Sequence, residues 1–208
     1  MCVGHFVIAA GFVVLSAMPA GGASDKVVFE SRVAGHLTVT RLRGGEGSLY
    51  ELDFPSRPAA AVPAAAAPAA LLLALRLDVA AVRYIGRARD WLVEVASAAV
   101  VLAVCPDLAA LNSLDALCVI VSAPADPGSG ADVVSRVFCP NCAVSEDPVT
   151  GSAHCTIVPH WAAKLGRRAL VARQLSSRGG DITCELRGDR VFMAGVAALF
   201  MTGSVAVG

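Results

Sequence analysis

The sequence predicts an α+β fold of two related lobes, in each of which a curved, mostly antiparallel sheet surrounds an apolar helix. An apolar run at residues 6–18 is followed by short alternating strands, and the same order of helix and strands returns after Ser152. A helix that is apolar on nearly all sides is expected inside a protein and not on its surface. We expect a first-lobe remnant at residues 1–57 and a second lobe at residues 58–208.

The composition is that of a globular protein without a nucleic-acid or membrane partner. Hydrophobic residues make up 56% of the 208 residues, and 17 Lys and Arg balance 17 Asp and Glu. A chain without excess positive charge has no basic surface for phosphates. The longest apolar run, at residues 59–75, falls short of a bilayer span because Pro63 and Pro68 interrupt it. We expect a linker at 58–68 and a short helix at 69–75.

The remaining elements follow from alternation of apolar residues and from Gly and Pro at their ends. A glycine turn at 44–47 should join two strands of the first lobe, and a short helix should begin near Pro106. The helix that starts at Ser152 should end at Gly166, and Pro159 should kink or shorten it. Strands are predicted at 26–31, 37–42, 48–54, 79–85, 91–95, 100–104, 117–122, 133–138, 169–175, 182–186, 190–194 and 197–201.

The seven cysteines favour reduced thiols in a cytoplasmic protein, because their number is odd and their spacing is irregular. Cys139 and Cys142 form a Cys-Pro-Asn-Cys sequence, for which a redox pair or half of a zinc site is the alternative. A zinc site normally takes four ligands from two such pairs, and a second pair is missing. We therefore expect free, buried or half-buried thiols and no metal.

The first 23 residues also resemble a secretory leader in part. The apolar run has the length of a leader's central region, and Gly21 and Ala23 offer small residues for cleavage. However, no positive charge precedes the run, since the first basic residue is Lys26. A cytoplasmic protein is the expectation, and a secreted protein that begins at Ser24 is the alternative.

The sequence "SEDPVTGSAH" is the stretch that points to chemistry. Glu146 and Asp147 precede a tight turn, and a helix begins at residue 152. The first N–H groups of a helix have no partner within it. With Thr150, Gly151 and Ser152, they form a site for a carboxylate or phosphate. An acid beside an anion site is what proton transfer next to a carboxylate requires, although Asp and Ser at this position can also be helix caps alone.

The same stretch resembles a known family. "EDPVTGSAH" at residues 146–154 is similar to the signature of the phenazine-biosynthesis-like, PhzF-type isomerases, and "SRVFCPNC" and "ARQLSSRGG" resemble its surroundings. "MCVGHFVIAAG" resembles the family motif Cys-Gly-His-Ala-Thr-Leu-Ala, which opens the first central helix. This favours a buried helix over a leader. The resemblance covers nearly the whole chain and implies the diaminopimelate-epimerase-like architecture.

The resemblance also implies a function. It implies an isomerase or epimerase that moves a proton on a small carboxylate-bearing metabolite and uses no cofactor. Asp147 would handle the proton, and His5 would oppose it across the cleft between the lobes. The implied substrate-binding residues are Gly4, Thr150, Gly151 and Ser152.

One family residue has no counterpart here. Family members have several dozen residues before the first motif, including a glutamate thought to be the main acid or base, whereas no glutamate precedes Glu30. We therefore expect a truncated first lobe, and the alternative function is that of a catalytically inactive, truncated relative that acts as a binding or scaffold protein. An incomplete sheet would expose an edge and the flank of the first helix, so we expect a partner or a homodimer to cover them.

Overall fold

The computed structural model describes residues 3–17, 25–32, 34–42, 49–63, 65–140, 142, 144–199 and 201–203, with the backbone alone at 3–6 and 17. The helices are α1 (Val3–Ala17), α2 (Ala69–Leu75), α3 (Ala98–Ala103), α4 (Leu108–Asn112) and α5 (Gly151–Leu165), and Val79–Ala81 form a 3₁₀ turn. The strands are β1 (Lys26–Ser31), β2 (Gly35–Leu42), β3 (Leu49–Pro55), β4 (Ala60–Ala61), β5 (Val82–Arg87), β6 (Trp91–Val95), β7 (Val119–Pro124), β8 (Val133–Phe138), β9 (Ala169–Gln174), β10 (Gly180–Arg187) and β11 (Arg190–Val196).

The described strands form one sheet in the order β1-β2-β3-β11-β10-β9-β8-β7-β6-β5-β4. The pairs β6–β7 and β8–β9 are parallel. The early strand β3 pairs along its whole length with the late strand β11. The sheet therefore continues across residue 57, and the division into lobes at this residue stays a prediction.

Several elements lie where the sequence predicts them. The helix at 69–75 and the strands at 26–31, 91–95 and 133–138 are confirmed to the residue. The glycine turn predicted at 44–47 lies outside the described residues. Each of these elements begins directly after a proline or an aspartate, so its start is set locally.

Two predicted strands are wrong. Residues 98–103 form the helix α3 in place of a strand at 100–104, because the Ser97 hydroxyl accepts a hydrogen bond from Val100 N at 3.4 Å and caps the helix. This cap outweighs the β preference of the valines. The predicted strand at 197–201 is also absent among the described residues beyond Val196.

Two hydrophobic clusters lie against the sheet. The first joins α1 and α5 to β2, β3 and β9–β11, and the second packs α2, α3 and α4 on β5–β8. On α1, Val7 and Leu15 are buried, whereas Val13 and Val14 are 59% and 41% exposed. The predicted burial of the first helix is confirmed on one face, and the opposite flank is exposed.

Gly11 lets α1 approach the sheet closely. A Cβ atom at this position would lie 2.6 Å from Cβ of Val39 on β2. We expect Gly11→Ala to lower the free energy of unfolding by about 1–3 kcal/mol, because overpacking outweighs the higher helix propensity of Ala. Urea unfolding measures the change, with the exposed Ser16→Ala of the same helix as control. An unchanged or more stable Gly11→Ala protein would contradict this close packing.

Helix α5 runs through Pro159 to Leu165, so Pro159 does not shorten it, and the predicted kink stays a prediction. Proline has no N–H for the carbonyl four residues earlier, which belongs to Cys155. The N–H of Arg57, from the segment after β3, donates to that carbonyl at 2.8 Å. This distant segment replaces the missing helical bond. Gly166 ends the helix in the left-handed conformation, as predicted.

A disulfide joins Cys118 and Cys139, whose Cα atoms are 4.3 Å apart. The two residues flank the paired Val119 and Phe138 of β7 and β8 and therefore lie opposite each other. The prediction of free thiols is wrong for this pair. Free thiols remain at Cys105, Cys142, Cys155 and Cys184.

The free thiols should differ in reactivity. Burial raises the pKa of the Cys155 thiol to about 11 and also raises that of Cys184. Cys105 is exposed. We expect iodoacetamide at neutral pH to label Cys105 first, and Cys155 and Cys184 after unfolding, because the thiolate is the reactive form. Mass mapping of the labelled peptides checks this, and equal labelling rates in the folded protein would refute it.

Candidate active site

The turn that carries Asp147 is held against the end of β8. The N–H of Asp147 donates to the Val137 carbonyl at 3.0 Å, and the N–H of Cys139 donates to the Ser145 carbonyl at 2.8 Å. Glu146 also forms a single bridge with Phe138. These contacts hold the backbone at Asp147 beside the end of β8.

The two adjacent carboxylates have different surroundings. Nε of Arg136 lies 2.7 Å from Oε1 of Glu146, and its Nη2 lies 2.9 Å from Oε2. The same guanidinium donates to the Val104 carbonyl at 2.6 Å, just after α3. By contrast, Oδ2 of Asp147 is buried and has no hydrogen-bonding partner among the described residues. Glu146 is therefore engaged in the structure, whereas a catalytic role for Asp147 stays a prediction.

Gln174, at the end of β9, fixes the turn from the other side. Its Oε1 accepts the N–H of Thr150 at 2.8 Å, and its Nε2 donates to Oγ1 of Thr150 at 3.2 Å and to the Asp147 carbonyl. Both Gln174 and Thr150 are buried. Thr150 therefore has its N–H and hydroxyl engaged within the protein, and its predicted contact with substrate stays a prediction.

The β9–β10 connection supports the same turn. The Ser176 hydroxyl donates to the Pro148 carbonyl at 2.8 Å. A Cβ atom at Gly180 would lie 2.5 Å from Cγ2 of Val149, so the glycine permits this close contact. These supporting residues are not functional candidates in the sequence prediction, and their contacts arise from tertiary structure.

The start of α5 combines open N–H groups with a cation. The N–H groups of Gly151 and Ser152 have no partner within the helix. Nη2 of Arg89 lies 3.3 Å from Oγ of Ser152. Arg89 pairs with the buried Asp90, whose Oδ1 accepts the N–H of Cys118 at 3.0 Å. The open N–H groups favour an anion at the helix start, whereas the charge of Arg89 is already balanced by Asp90.

A cavity of about 290 Å³ lies between α1 and the start of α5. Its lining includes Ile8 of α1 and Gly151 of α5, together with Arg178 and Asp181. Asp147 and Ser152 are not among the lining residues, so the structure does not bring every predicted site residue into this cavity. Gly4 and His5 lie in the first turn of α1, and the side chain of His5 lies outside the described residues.

The described ranges show neither a metal-binding cluster nor a membrane-spanning helix. They contain no group of three His, Cys, Asp or Glu side chains that could hold a metal ion. They also contain no helix with both the length and the hydrophobicity to cross a bilayer.

Comparison with known proteins identifies the family. A family model described as "Phenazine biosynthesis-like protein" matches residues 1–203. The chain belongs to this PhzC-PhzF family. One "Uncharacterized isomerase" of Pseudomonas aeruginosa is 38% identical over 202 residues, which cover 97% of this chain and 72% of the relative. A second from the same organism is 38% identical over 204 residues with the same coverage.

Solved structures of similar proteins have the same fold. A PhzF-family phenazine biosynthesis protein of Enterococcus faecalis has a TM-score of 0.83 at 33% identity, over 100% of this chain and 74% of that one. A predicted epimerase of Pseudomonas aeruginosa, at 18% identity, has a TM-score of 0.64 over 93% of this chain and 72% of its own. The predicted diaminopimelate-epimerase-like α+β fold is confirmed, and the relatives' names support isomerase activity in general.

Proposed function

We propose that this PhzF-like protein is an isomerase or epimerase that needs no cofactor and moves a proton on a small carboxylate-bearing metabolite. The observation that carries the proposal is the buried Oδ2 of Asp147, which has no hydrogen-bonding partner in the described part of the chain and lies on the turn that leads into the open end of α5. The isomerase names of the relatives support the reaction type.

The start of α5 is the binding half of the proposed site. The substrate carboxylate would accept hydrogen bonds from the N–H groups of Gly151 and Ser152. Arg89, which lies beside Oγ of Ser152 and pairs with Asp90, would add a hydrogen-bond donor. Both contributions also stabilise the negative charge that develops when a proton leaves the carbon next to the carboxylate.

Asp147 is the proton-transfer half of the proposed site. Its carboxylate oxygen Oδ2 would remove the proton and return it at another position on the same face of the substrate, whereas inversion would need a proton donor on the other face. His5, at the start of α1, would act from the opposite side, and Gly4 would contact the substrate beside it. The rigid turn held by Gln174 keeps the carboxylate in place during both steps.

Deuterium exchange tests this proposal. The protein, after treatment with a chelator and dialysis, is incubated in D₂O with a panel of small carboxylic acids that carry an activated C–H bond. Mass spectrometry and NMR then locate deuterium and any isomer. Exchange without added metal or cofactor supports the proposal. Exchange that requires either would contradict it, and binding without exchange would favour the inactive relative.

A further inference from the structure

A row of polar side chains crosses the sheet under α5. In the strand registers Glu94 of β6 lies opposite Ser122 of β7, Ser122 opposite Ser135 of β8, and Ser135 opposite Gln174 of β9. Residues opposite each other on paired strands point to the same face. All four are buried, with exposed fractions of 3% or less. We call these four residues the polar row.

Three members of the polar row bind α5. Gln174 binds Thr150 at the helix start, and Oγ of Ser122 accepts the Trp161 indole N–H at 2.9 Å. Glu94 binds His160 at 2.8 Å and also Lys164. The helix partners follow the order of the strands, so α5 crosses the polar row from Gln174 to Glu94. The remaining member, Ser135, has a buried Oγ without a partner among the described residues.

His154 is the helix residue that matches Ser135. It lies four residues after Thr150 and seven before Trp161, and these spacings place all three on one helix face. Its ring is fully buried, and Nδ1 lies 2.7 Å from the Thr150 carbonyl. Nε2 is buried without a partner among the described residues. Two unpartnered polar atoms, one on the helix and one on the sheet, therefore lie between the contacts of Gln174 and Ser122.

The protonation of the ring follows from its contacts. Burial lowers the pKa of His154, so the imidazole is neutral at pH 7. The hydrogen bond to the Thr150 carbonyl requires a proton on Nδ1, because a carbonyl can only accept. Nε2 then carries a lone pair and needs a donor.

We propose that one water molecule is bound between the Ser135 hydroxyl and Nε2 of His154, and that His154 is a positioning residue for the turn that carries Asp147. The water accepts a hydrogen bond from the Ser135 hydroxyl and donates one to Nε2 of His154, so both atoms gain a partner. Buried polar atoms without a protein partner are commonly bridged by such waters. The fixed ring holds the Thr150 carbonyl while Gln174 holds the Thr150 N–H, and together they fix the turn.

Two measurements on the wild-type protein test the water site directly. A high-resolution crystal structure should show an ordered water within about 3.2 Å of both atoms. The ¹⁵N shifts of the His154 ring should show the proton on Nδ1. An empty position, or a proton on Nε2, would overturn the proposal. Neither measurement uses a substrate, so failure here is distinct from failure of the proposed isomerase function.

A pair of matched variants tests the positioning role. Ser135→Ala and Ser122→Ala each remove one buried hydroxyl of the polar row. Amide hydrogen exchange of Thr150 should become about tenfold faster or more in Ser135→Ala. Without the bridged water, the His154 ring holds the Thr150 carbonyl less firmly. In Ser122→Ala the faster hydrogen exchange should be confined to the surroundings of Trp161, and the exchange rate of Thr150 should stay as in the wild type. Equal effects on Thr150 in the two variants would reduce His154 to a general packing role.

Discussion

Asp147→Asn is expected to lower the rate of proton transfer by about 10²–10⁴-fold and to leave the fold intact. Asn has the shape of Asp but cannot take up a proton, and general acid–base groups contribute rate factors of about this size. Oδ2 makes no hydrogen bond to the described residues that the substitution would remove. The measurement is the rate of deuterium exchange on the acid that the wild-type protein turns over, together with the urea unfolding midpoint.

The neighbouring carboxylate provides the matched control. Glu146→Gln removes a charge one residue away, from a side chain that is bound by Arg136. We expect a loss of stability and a rate within about tenfold of the wild type, because this carboxylate supports the turn and does not react. If proton transfer were slow in Glu146→Gln and unchanged in Asp147→Asn, Glu146 would be the reacting carboxylate and Asp147 the structural one.

Arg136→Met is expected to give the largest loss of stability, about 2–4 kcal/mol in the free energy of unfolding. The guanidinium binds both carboxylate oxygens of Glu146 and the carbonyl of Val104, so its removal leaves a half-buried charge without a partner. Breaking one side of such a pair costs more than the pair itself contributes. Urea unfolding at pH 7 measures the change.

An exposed ion pair serves as the comparison for this variant. Arg173 and Asp181 also form two hydrogen bonds, but their side chains are 35% and 49% exposed. Arg173→Met should therefore cost much less stability than Arg136→Met. The double variant Arg136→Met/Glu146→Leu should recover part of the stability, because the unpaired charge is gone. Equal losses in Arg136→Met and Arg173→Met would show that the Glu146 bridge has no special structural role.

Local signals account for what the sequence predicts well. The strands at 91–95 and 133–138 each coincide with a short, mainly apolar run of the sequence, so the sequence predicts their length. The start of α5 is also a local feature, since the turn, Gly151 and Ser152 are consecutive. The α3 error has a local cause as well, because the Ser97 cap competes with β-branched valines in the same few residues.

Long-range contacts account for what the sequence does not show. The helix continues beyond Pro159 because Arg57 binds the Cys155 carbonyl, and a sequence pattern does not reveal this pairing. The disulfide depends on the register of β7 and β8. Gln174 and Arg89 reach the site through folding, from 24 and 63 residues away from the atoms they contact. Arg89 carries no sequence signal of a site, whereas Gln174 lies in the "ARQLSSRGG" stretch that resembles the family.

The measurement that tests the central claim most directly is an NMR titration of the ¹⁵N-labelled protein with small carboxylic acids and with their methyl esters. The claim is that the start of α5 binds a carboxylate beside Asp147. The account predicts saturable shifts of the Gly151 and Ser152 amides and of the Arg89 Nε–H with an acid, and no such shifts with its ester. Equal shifts with the ester, or saturable binding of the acid that leaves these three groups unchanged, would contradict the claim.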